Sequence, residues 1–287
     1  MTLVATTRAD LARLRADVVA GSAPGAVAVV MTMGALHAGH AELIRCARER
    51  AAVVIVTVFL NPLQFAPGED LARYPQTFDS DLELCRSVGV DLVFAPTPDV
   101  VYPDDEPLVT VSAGPAGDRL EGASRPGHFD GVLTVVAKLL HLTSPDLAYF
   151  GQKDAQQLWL IARMVRDLDF GVEVVSVPTV RDESGLALSS RNSYLSEVDR
   201  SDALVLSAAL RAGATHSDEG SSAVLAAARE VVDELPAVAL DYVALVDPGT
   251  FSTVGDAYEG EAILVLAARV GRTRLIDNLT VSVSRKV

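Results

Sequence analysis

The chain carries two histidines three residues apart, directly after an apolar run of the kind that forms a buried strand. Residues 26–32 form that run, and Gly34, His37 and His40 follow it. A β-branched run that ends in a glycine-containing polar turn predicts a strand that leads into a helix. The N-terminus of a helix favours a bound phosphate through its N–H groups and its positive dipole end. We therefore predict that both histidines project from the first helical turn and stabilise charge on a nucleotide phosphate.

Two other interpretations of the histidine pair stay open at this point. A zinc site of the zincin type needs a glutamate between the histidines and a spacing of four residues, and the chain has neither here. A histidine in a turn also serves as a helix cap or packs into the core without a catalytic role. The phosphate interpretation is preferred because the pair follows a strand and a glycine-bearing turn.

A second group of polar residues follows another strand-like run and begins another helix. Lys153 offers a point charge to a phosphate, and Asp154 offers an acceptor for ribose hydroxyls. Gly151 in front of them permits close approach of a ligand to the backbone. Gln157 follows Asp154 by about one helical turn, so we expect its amide on the same side of the helix. A helix cap with solvated charges is the alternative.

Two further segments place polar groups where an α/β fold binds its ligands. Gln64 follows Asn61 and Pro62 at the end of a strand-like run, so we expect its amide to face the ligand crevice. Residues 188–192 combine two hydroxyls, an arginine and an asparagine. We predict that this loop contacts a polyphosphate through Arg191. Because the loop lies just beyond the predicted domain boundary, we also expect it to close over bound ATP. Each segment alone also fits an ordinary surface turn.

The composition limits the partners that the chain can bind. Its 287 residues have a formal net charge of −14, from 24 Lys and Arg against 38 Asp and Glu. Nucleic acids and anionic membranes attract basic surfaces, so we predict neither as a partner. Two cysteines without metal-site spacing, and an N-terminus without an apolar signal region, favour a soluble cytoplasmic protein. An anion site must then be local, made of a few basic side chains and backbone N–H groups.

Apolar runs alternate with helical patterns along the first two-thirds of the chain. The predicted strands are residues 26–32, 53–61, 91–95, 147–150 and 172–177, and the predicted helices are residues 41–50, 79–88, 131–142 and 155–168. Strands that are apolar throughout are typical of a parallel sheet covered on both faces. We therefore predict an α/β fold with a doubly wound, Rossmann-like parallel sheet that binds ligands beyond the carboxyl ends of its strands.

The pattern changes after Pro178. Helical segments at residues 197–214 and 222–234 precede strand-like runs at residues 241–246, 262–269 and 274–283. This order predicts a Rossmann-like domain of residues 1–179 and a smaller C-terminal α+β domain of residues 180–287. Neither a G-x-G-x-x-G nor a Walker A sequence occurs, which argues against the dinucleotide and P-loop subclasses.

An ordered set of segments runs over nearly the whole chain. The segments are residues 32–40, 59–65, 74–77, 120–129, 151–157, 185–192 and 273–278. The set resembles the pantothenate synthetase (pantoate–β-alanine ligase) family, and it is far more specific than the His-x-Gly-His pattern of nucleotidylyltransferases. The resemblance implies an enzyme of pantothenate and coenzyme A biosynthesis. Such an enzyme joins (R)-pantoate to β-alanine with ATP and Mg²⁺, releases AMP and pyrophosphate, and forms a homodimer.

The resemblance also implies roles for individual residues. His40 is the candidate proton donor to the departing phosphate, and His37, Lys153 and Arg191 are further catalytic candidates. The residues matched to pantoate are Gln64 and Gln157, with Gln64 also near β-alanine. The residues matched to ATP are Met33, Gly34, Ala35, Leu36, His37, Ala38, Gly39, His40, Gly151, Gln152, Lys153, Asp154, Val180, Leu188, Ser189, Ser190 and Arg191. The first domain then binds ATP and pantoate, the second acts as a lid, and the intermediate is a pantoyl adenylate.

Some positions depart from the family pattern. Met31 replaces a common proline before the Thr-Met-Gly segment, which removes a rigid turn. Ala38 and Gln152 replace common acidic residues at positions that we expect at the surface. The acidic run of the family is reduced here to Asp79 and Asp81. We assign Asp81 as the candidate Mg²⁺ ligand and expect the phosphates of ATP to provide most of the coordination.

Two other functions compete with this interpretation. A nucleotidylyltransferase of another cofactor pathway shares the His-x-Gly-His pattern but has no use for two glutamines at the crevice. A nucleotide-sensing module without catalysis would lack phosphate-stabilising side chains, and all of those expected are present: His37, His40, Lys153 and Arg191.

Overall fold

The computed structural model describes residues 2–285 of the chain. In that range, no helix is both long and apolar enough to cross a membrane. The chain divides into two compact units: the first comprises Met1–Gln152 and Leu160–Pro178, and the second comprises Lys153–Trp159 and Thr179–Val287. Compared with the predicted division after residue 179, the second unit gains the segment Lys153–Trp159. This segment contains three of the predicted site residues, Lys153, Asp154 and Gln157.

The first unit is built on a parallel sheet. Its strands are β1 (Leu3–Ala5), β2 (Ala26–Thr32), β3 (Ala51–Val58), β4 (Leu92–Phe94), β5 (Leu147–Gly151) and β6 (Glu173–Val177). Across residues 2–285 these strands form a six-stranded sheet in the order β1-β4-β3-β2-β5-β6, with every neighbouring pair parallel. Its helices are α1 (Arg8–Gly21), α2 (Ala38–Arg50), α3 (Phe78–Ser87), α4 (Pro98–Val101), α5 (Glu121–Ser124), α6 (His128–Thr143) and α7 (Ala155–Asp167), the last beginning in the second unit. The predicted Rossmann-like α/β class is confirmed.

The central strands are apolar throughout because both of their faces are buried. Val29 and Val30 on β2 have no exposed surface, and neither do Ile55 and Val56 on β3. The two strands pair in parallel with Val29 opposite Ile55. Burial of each such side chain stabilises the fold by roughly 1.5–3 kcal/mol relative to exposure. The continuous apolar runs in the sequence are thus the physical cause of this layer.

The strand order determines where this sheet can bind a ligand. The chain proceeds from β2 outward through β3 and β4 on one side, and then returns to β5 and β6 on the other. In open α/β sheets, ligands bind beyond the carboxyl ends of the strands at such a reversal. The loops that leave β2 and β5 at this point begin with Met33 and Gln152. Both are predicted ATP-site residues.

The second unit contains an antiparallel sheet and helices, as predicted. Its strands are β7 (Val238–Val246), β8 (Gly260–Val270) and β9 (Thr273–Val283), in the order β7-β8-β9. Its helices are α8 (Glu197–Asp202), α9 (Leu204–Thr215) and α10 (Ser221–Asp233). Leu206 and Leu210 of α9 pack with Leu264 and Leu266 of β8 in one buried cluster. This cluster gives the smaller unit its own core.

Several predicted boundaries shift in the structure. The strand predicted over residues 53–61 ends at Val58, because Asn61 caps a 3₁₀ turn over Pro62–Gln64. Proline has no N–H to donate to a sheet, so the strand cannot continue through it. The helix predicted over residues 197–214 is two helices separated at Ala203.

Candidate active site

The turn after β2 has a backbone that only particular residues adopt. Gly34 has φ +87°, and a Cβ there would lie 3.2 Å from Asp81 Oδ2 and 3.3 Å from Val58 Cγ1. Ala35 also has a positive φ, of 51°. The Thr32 hydroxyl donates to the carbonyl of Thr57 at 2.7 Å and accepts from the Gly34 N–H at 3.2 Å. The glycine of the predicted motif is therefore required by both the left-handed backbone and the close packing beneath it.

The two histidines act together at the start of α2. His37 is the N-cap residue, and its Nδ1 accepts from the N–H of Gly39 at 3.1 Å. His40 Nδ1 accepts from the N–H of His37 at 3.2 Å, which completes a capping box. The ring centroids are 4.1 Å apart. The structure thus brings the pair together as predicted, and the helix-cap interpretation holds as well.

These hydrogen bonds determine the tautomers of both rings. A neutral imidazole has one acceptor nitrogen and one N–H donor. Since Nδ1 accepts in His37 and in His40, the proton of each neutral ring is on Nε2. Each ring therefore presents an Nε2–H donor, the group that a developing phosphate charge needs.

Asp81 of α3 fixes the backbone of the same turn through hydrogen bonds. This carboxylate is 2% exposed, and it accepts from the N–H groups of Ala35 at 3.0 Å and Leu36 at 2.8 Å. The hydroxyl of Thr77 donates to it at 3.1 Å. Both oxygens are thus used to fix the backbone, which differs from the role of Mg²⁺ ligand that the sequence suggests. Within residues 2–285, no group of three or more His, Cys, Asp or Glu side chains is placed to hold a metal ion.

Gln64 lies beside the histidine-bearing turn. Its side chain is buried, with Nε2 2.9 Å from Met33 Sδ. Its Oε1 accepts from Asn61 Nδ2 at 3.1 Å. Asn61 in turn donates to the Gly131 carbonyl at 3.1 Å and accepts from the Tyr102 hydroxyl at 2.9 Å. The predicted pantoate residue is therefore held in one orientation next to the predicted ATP turn.

A buried polar cluster contacts the backbone carbonyl of Gln64. His128 Nδ1 lies 2.8 Å from the Gln64 carbonyl, and its Nε2 lies 3.0 Å from Arg125 Nη1. Burial is the main cause that lowers the pKa of His128, to about 4, so the neutral ring donates through Nδ1 and accepts through Nε2. Arg125 also pairs with both carboxylate oxygens of Glu69, at 2.9 and 2.6 Å. Arg125 and His128 belong to the motif at residues 120–129 but have no predicted role of their own, and Glu69 lies outside every predicted motif.

A close backbone contact explains a second glycine of this region. Gly131 lies in α6, and a Cβ there would be 2.2 Å from the carbonyl oxygen of Leu63. Only glycine therefore lets α6 pack directly on the 3₁₀ turn that carries Gln64. By contrast, a Cβ on Gly151 would meet no atom of the described chain within 4 Å. Space at Gly151 is thus open to a ligand, which agrees with the predicted close approach.

The second unit holds the other predicted phosphate contacts. Lys153 Nζ lies 3.8 Å from Asp154 Oδ1, and the Lys153 side chain is 19% exposed. The Lys153 carbonyl accepts from Asn278 Nδ2 at 2.8 Å. Gln157 follows in the first turns of α7 and is half-buried.

The loop over residues 180–192 is a small hairpin that ends in a 3₁₀ turn. Arg181 and Ala187 form an antiparallel bridge, and the N–H of Leu188 donates to the Val180 carbonyl at 2.9 Å. Ser189 caps the turn Ser190–Tyr194 by accepting from the N–H of Arg191 at 3.3 Å. The structure therefore brings Val180 beside Leu188, with Ser189, Ser190 and Arg191 directly after them. The ATP contact of these five residues stays a prediction.

Comparison with known proteins gives a consistent result. A family model described as pantoate-beta-alanine ligase matches residues 3–280. A pantothenate synthetase from Streptomyces coelicolor is 55% identical, over 89% of this chain and 90% of that protein.

Solved structures agree with the sequence comparison. The pantothenate synthetase of Thermus thermophilus has a TM-score of 0.89 and 46% identity, covering 96% of this chain and 98% of its own. The pantoate-beta-alanine ligase of Francisella tularensis, complexed with beta-gamma ATP and beta-alanine, has a TM-score of 0.80 and 32% identity over 97% of each chain. On this sequence match and this fold, the chain belongs to the pantoate–β-alanine ligase family of enzymes.

Proposed function

We propose that this chain condenses (R)-pantoate with β-alanine in an ATP-dependent reaction that releases AMP and pyrophosphate. Family membership supports the overall reaction, and the Francisella relative was solved with beta-gamma ATP and beta-alanine. The observation that carries the proposal is the pair of histidines at the start of α2. Each uses Nδ1 as an acceptor at the helix start, so each neutral ring carries its proton on Nε2, the donor that we assign to phosphate oxygens. This preorganised donor pair is suited to charge that develops during phosphoryl chemistry.

In the first half-reaction, a carboxylate oxygen of pantoate attacks the α-phosphorus of ATP. The bond from that phosphorus to the bridging oxygen breaks, and pyrophosphate leaves with the bonding electrons. Negative charge grows on the phosphoryl oxygens, and positioned cations and N–H donors lower the barrier. We assign this task to His37 and His40 of the first unit and to Lys153 and Arg191 of the second. His40 is the proposed proton donor to the departing phosphate.

In the second half-reaction, the amine of β-alanine attacks the acyl carbon of the pantoyl adenylate. The amide bond forms, the amine loses a proton, and AMP leaves with the electrons of the broken acyl–oxygen bond. Water would hydrolyse this mixed anhydride, so a site that excludes water favours the product. The lid role expected for the second unit stays a prediction.

Two glutamines are the proposed contacts of pantoate. Gln64 is buried and held by Asn61, so its amide is preorganised. Gln157 supplies a second amide from the first turns of α7. An amide offers both a donor and an acceptor, which suits a substrate with hydroxyl and carboxylate groups.

Among the described residues, the carboxylate that the sequence suggests for Mg²⁺ already accepts hydrogen bonds. The oxygens of Asp81 accept backbone and hydroxyl hydrogen bonds, and this donor set does not fit a metal ligand. We therefore propose that Mg²⁺ arrives with the phosphates of ATP, and we assign no catalytic step to it. A homodimer and a cytoplasmic location, both expected from the sequence, also stay predictions.

A product assay over pairs of acids and amines tests the proposed function. We expect AMP and pantothenate to form in equal amounts with (R)-pantoate, β-alanine, ATP and Mg²⁺, and neither to form when pantoate or ATP is omitted. Nucleotide transfer to a phosphorylated acceptor, without amide formation, would instead identify a nucleotidylyltransferase of another pathway.

A further inference from the structure

The motif at residues 273–278 has no role in the function proposed above. It begins β9, and its last two residues, Asp277 and Asn278, have side chains with specific partners. Asn278 Nδ2 donates to the carbonyl of Lys153 at 2.8 Å. Asp277 is 3% exposed and pairs with Arg181, whose Nη1 and Nη2 lie 2.6 and 2.9 Å from its two oxygens. Two consecutive residues of β9 thus bind two different segments, one at Lys153 and one at Arg181.

Asn278 acts on a segment that follows the sheet of the first unit. Lys153 comes two residues after the end of β5, yet the segment Lys153–Trp159 belongs to the second unit. The hydrogen bond from Asn278 is a direct side-chain link between that segment and β9. The N–H of Asn278 donates to Asp277 Oδ1 at 2.8 Å, so the backbone of Asn278 is bonded to the carboxylate of the ion pair.

Asp277 acts on the hairpin that leads to the serine and arginine of the third ATP segment. Its partner Arg181 lies at the base of the hairpin, opposite Ala187. Arg181 Nη1 also donates to the Gly185 carbonyl at 3.1 Å, so the turn of the hairpin is fixed to the same guanidinium. The ion pair therefore links the hairpin to β9, and Leu188 closes the hairpin by donating to the Val180 carbonyl at 2.9 Å.

We propose that Asn278 is a positioning residue for Lys153, and that with Asp277 it holds Lys153 and the loop at residues 188–191 as one phosphate-binding assembly. This inference rests on the proposed function, in which Lys153 and Arg191 stabilise the departing pyrophosphate. Asn278 does not touch substrate in this account. It fixes the backbone from which the Lys153 side chain extends, and small displacements of a positioned charge strongly affect the rate.

The test replaces the donor of Asn278 with an acceptor of the same shape. Asn278→Asp removes the N–H donor and places a carboxylate oxygen against the Lys153 carbonyl. We expect pantoate-dependent exchange of pyrophosphate into ATP to slow by roughly 10- to 100-fold, because Lys153 is displaced during the first half-reaction. We expect aminolysis of synthetic pantoyl adenylate by β-alanine to change by less than about threefold. Thr280→Ala, an exposed change on the same strand, is the matched control and should leave both steps unchanged.

A double-mutant cycle decides whether the effect passes through Lys153. In a Lys153→Ala background, Asn278→Asp should slow the exchange little further, because the charge that it positions is gone. The inference would be overturned if Asn278→Asp slowed the exchange in the Lys153→Ala background by the same factor as in the wild type. It would also be overturned if Asn278→Asp alone slowed both half-reactions equally. If Asn278→Asp does not fold, the same measurements on Asn278→Ala decide it. Failure of the wild-type enzyme to exchange pyrophosphate would count against the proposed function, whereas normal exchange in the Asn278 variants would count against the positioning role alone.

Discussion

At the scale of single residues, the histidine pair caps a helix and has a proposed chemical task as well. The Nδ1 atoms of His37 and His40 satisfy N–H groups at the start of α2, and the Nε2–H groups are thereby defined as donors. The sequence predicts the two rings at a helix start, but a tautomer depends on backbone positions that spacing alone does not show. The ion pair of Arg125 with Glu69 was not predicted for a similar reason, since its partners are 56 residues apart in the chain.

Replacement of His40 by alanine tests the chemical task. We expect kcat to fall by roughly 10²–10³, as for the loss of one preorganised donor. The variant also loses one acceptor of the capping box, so we expect the free energy of unfolding to fall by about 1 kcal/mol. Steady-state kinetics and chemical denaturation measure the two effects. His216→Ala is the control, because the His216 side chain is 44% exposed and its ion-pair partner is Glu219 in the second unit. Turnover at the wild-type level in folded His40→Ala would remove this residue from the mechanism.

Replacement of either glutamine by alanine tests substrate recognition. A hydrogen bond to a charged group contributes about 1.5–3 kcal/mol, so we expect the KM for pantoate to rise about 10- to 150-fold. The KM for ATP should change much less in Gln157→Ala. In Gln64→Ala a modest change for ATP is expected, because the Gln64 side chain contacts Met33. Equal rises in both KM values for both variants would show that the glutamines shape the pocket rather than bind pantoate.

At the scale of elements, the position of the turn after β2, which we propose binds ATP, depends on α3. Asp81 reaches from the first turn of α3 to two N–H groups of the turn after β2. The sequence predicts both elements, including β2 with the bounds Ala26–Thr32. It does not predict that the acidic residue of one holds the backbone of the other, because that contact spans 46 residues.

Asp81→Asn tests this anchoring role. The amide offers one acceptor oxygen where the carboxylate offers two, so an N–H of Ala35 or Leu36 loses its partner. We expect the free energy of unfolding to fall by about 1–3 kcal/mol and the KM for ATP to rise, as measured by denaturation and kinetics. Asp79→Asn is the matched control, since Asp79 is exposed in the same helical turn.

Mg²⁺ dependence separates anchoring from metal binding in these variants. If Asp81 only anchors the turn, excess Mg²⁺ should not restore the activity of Asp81→Asn. Recovery of wild-type rates at high Mg²⁺ would show instead that the carboxylate binds the metal.

At the scale of the whole molecule, His128 links acid stability to the fold of the first unit. Burial lowers its pKa from 6.5 to about 4, so the unfolded chain binds a proton that the folded chain does not. The free energy of unfolding therefore has its full value above about pH 6.5 and decreases as the pH falls toward about 4. The total loss over this range is about 3 kcal/mol. Denaturation at a series of pH values should show this slope in the wild type. A His128→Gln variant should show a flatter dependence over the same range, and identical slopes would contradict the assignment.

The organisation of the whole chain was predicted in outline. The change from a parallel to an antiparallel sheet is visible in the sequence. Parallel strands buried on both faces are apolar throughout, whereas strands of an antiparallel sheet with one solvated face alternate apolar and polar residues. The place of Lys153–Trp159 in the second unit was not predicted. This assignment depends on contacts such as that of Asn278 with the Lys153 carbonyl, which join residues 125 positions apart.

We propose above all that the histidine-bearing turn activates pantoate as an adenylate. The most direct measurement is exchange of labelled pyrophosphate into ATP in the absence of β-alanine. We predict exchange that requires (R)-pantoate, is lost in His40→Ala, and is accompanied by little AMP release until β-alanine is added. Exchange that proceeds without pantoate, or AMP formation that requires β-alanine with no exchange beforehand, would contradict the account.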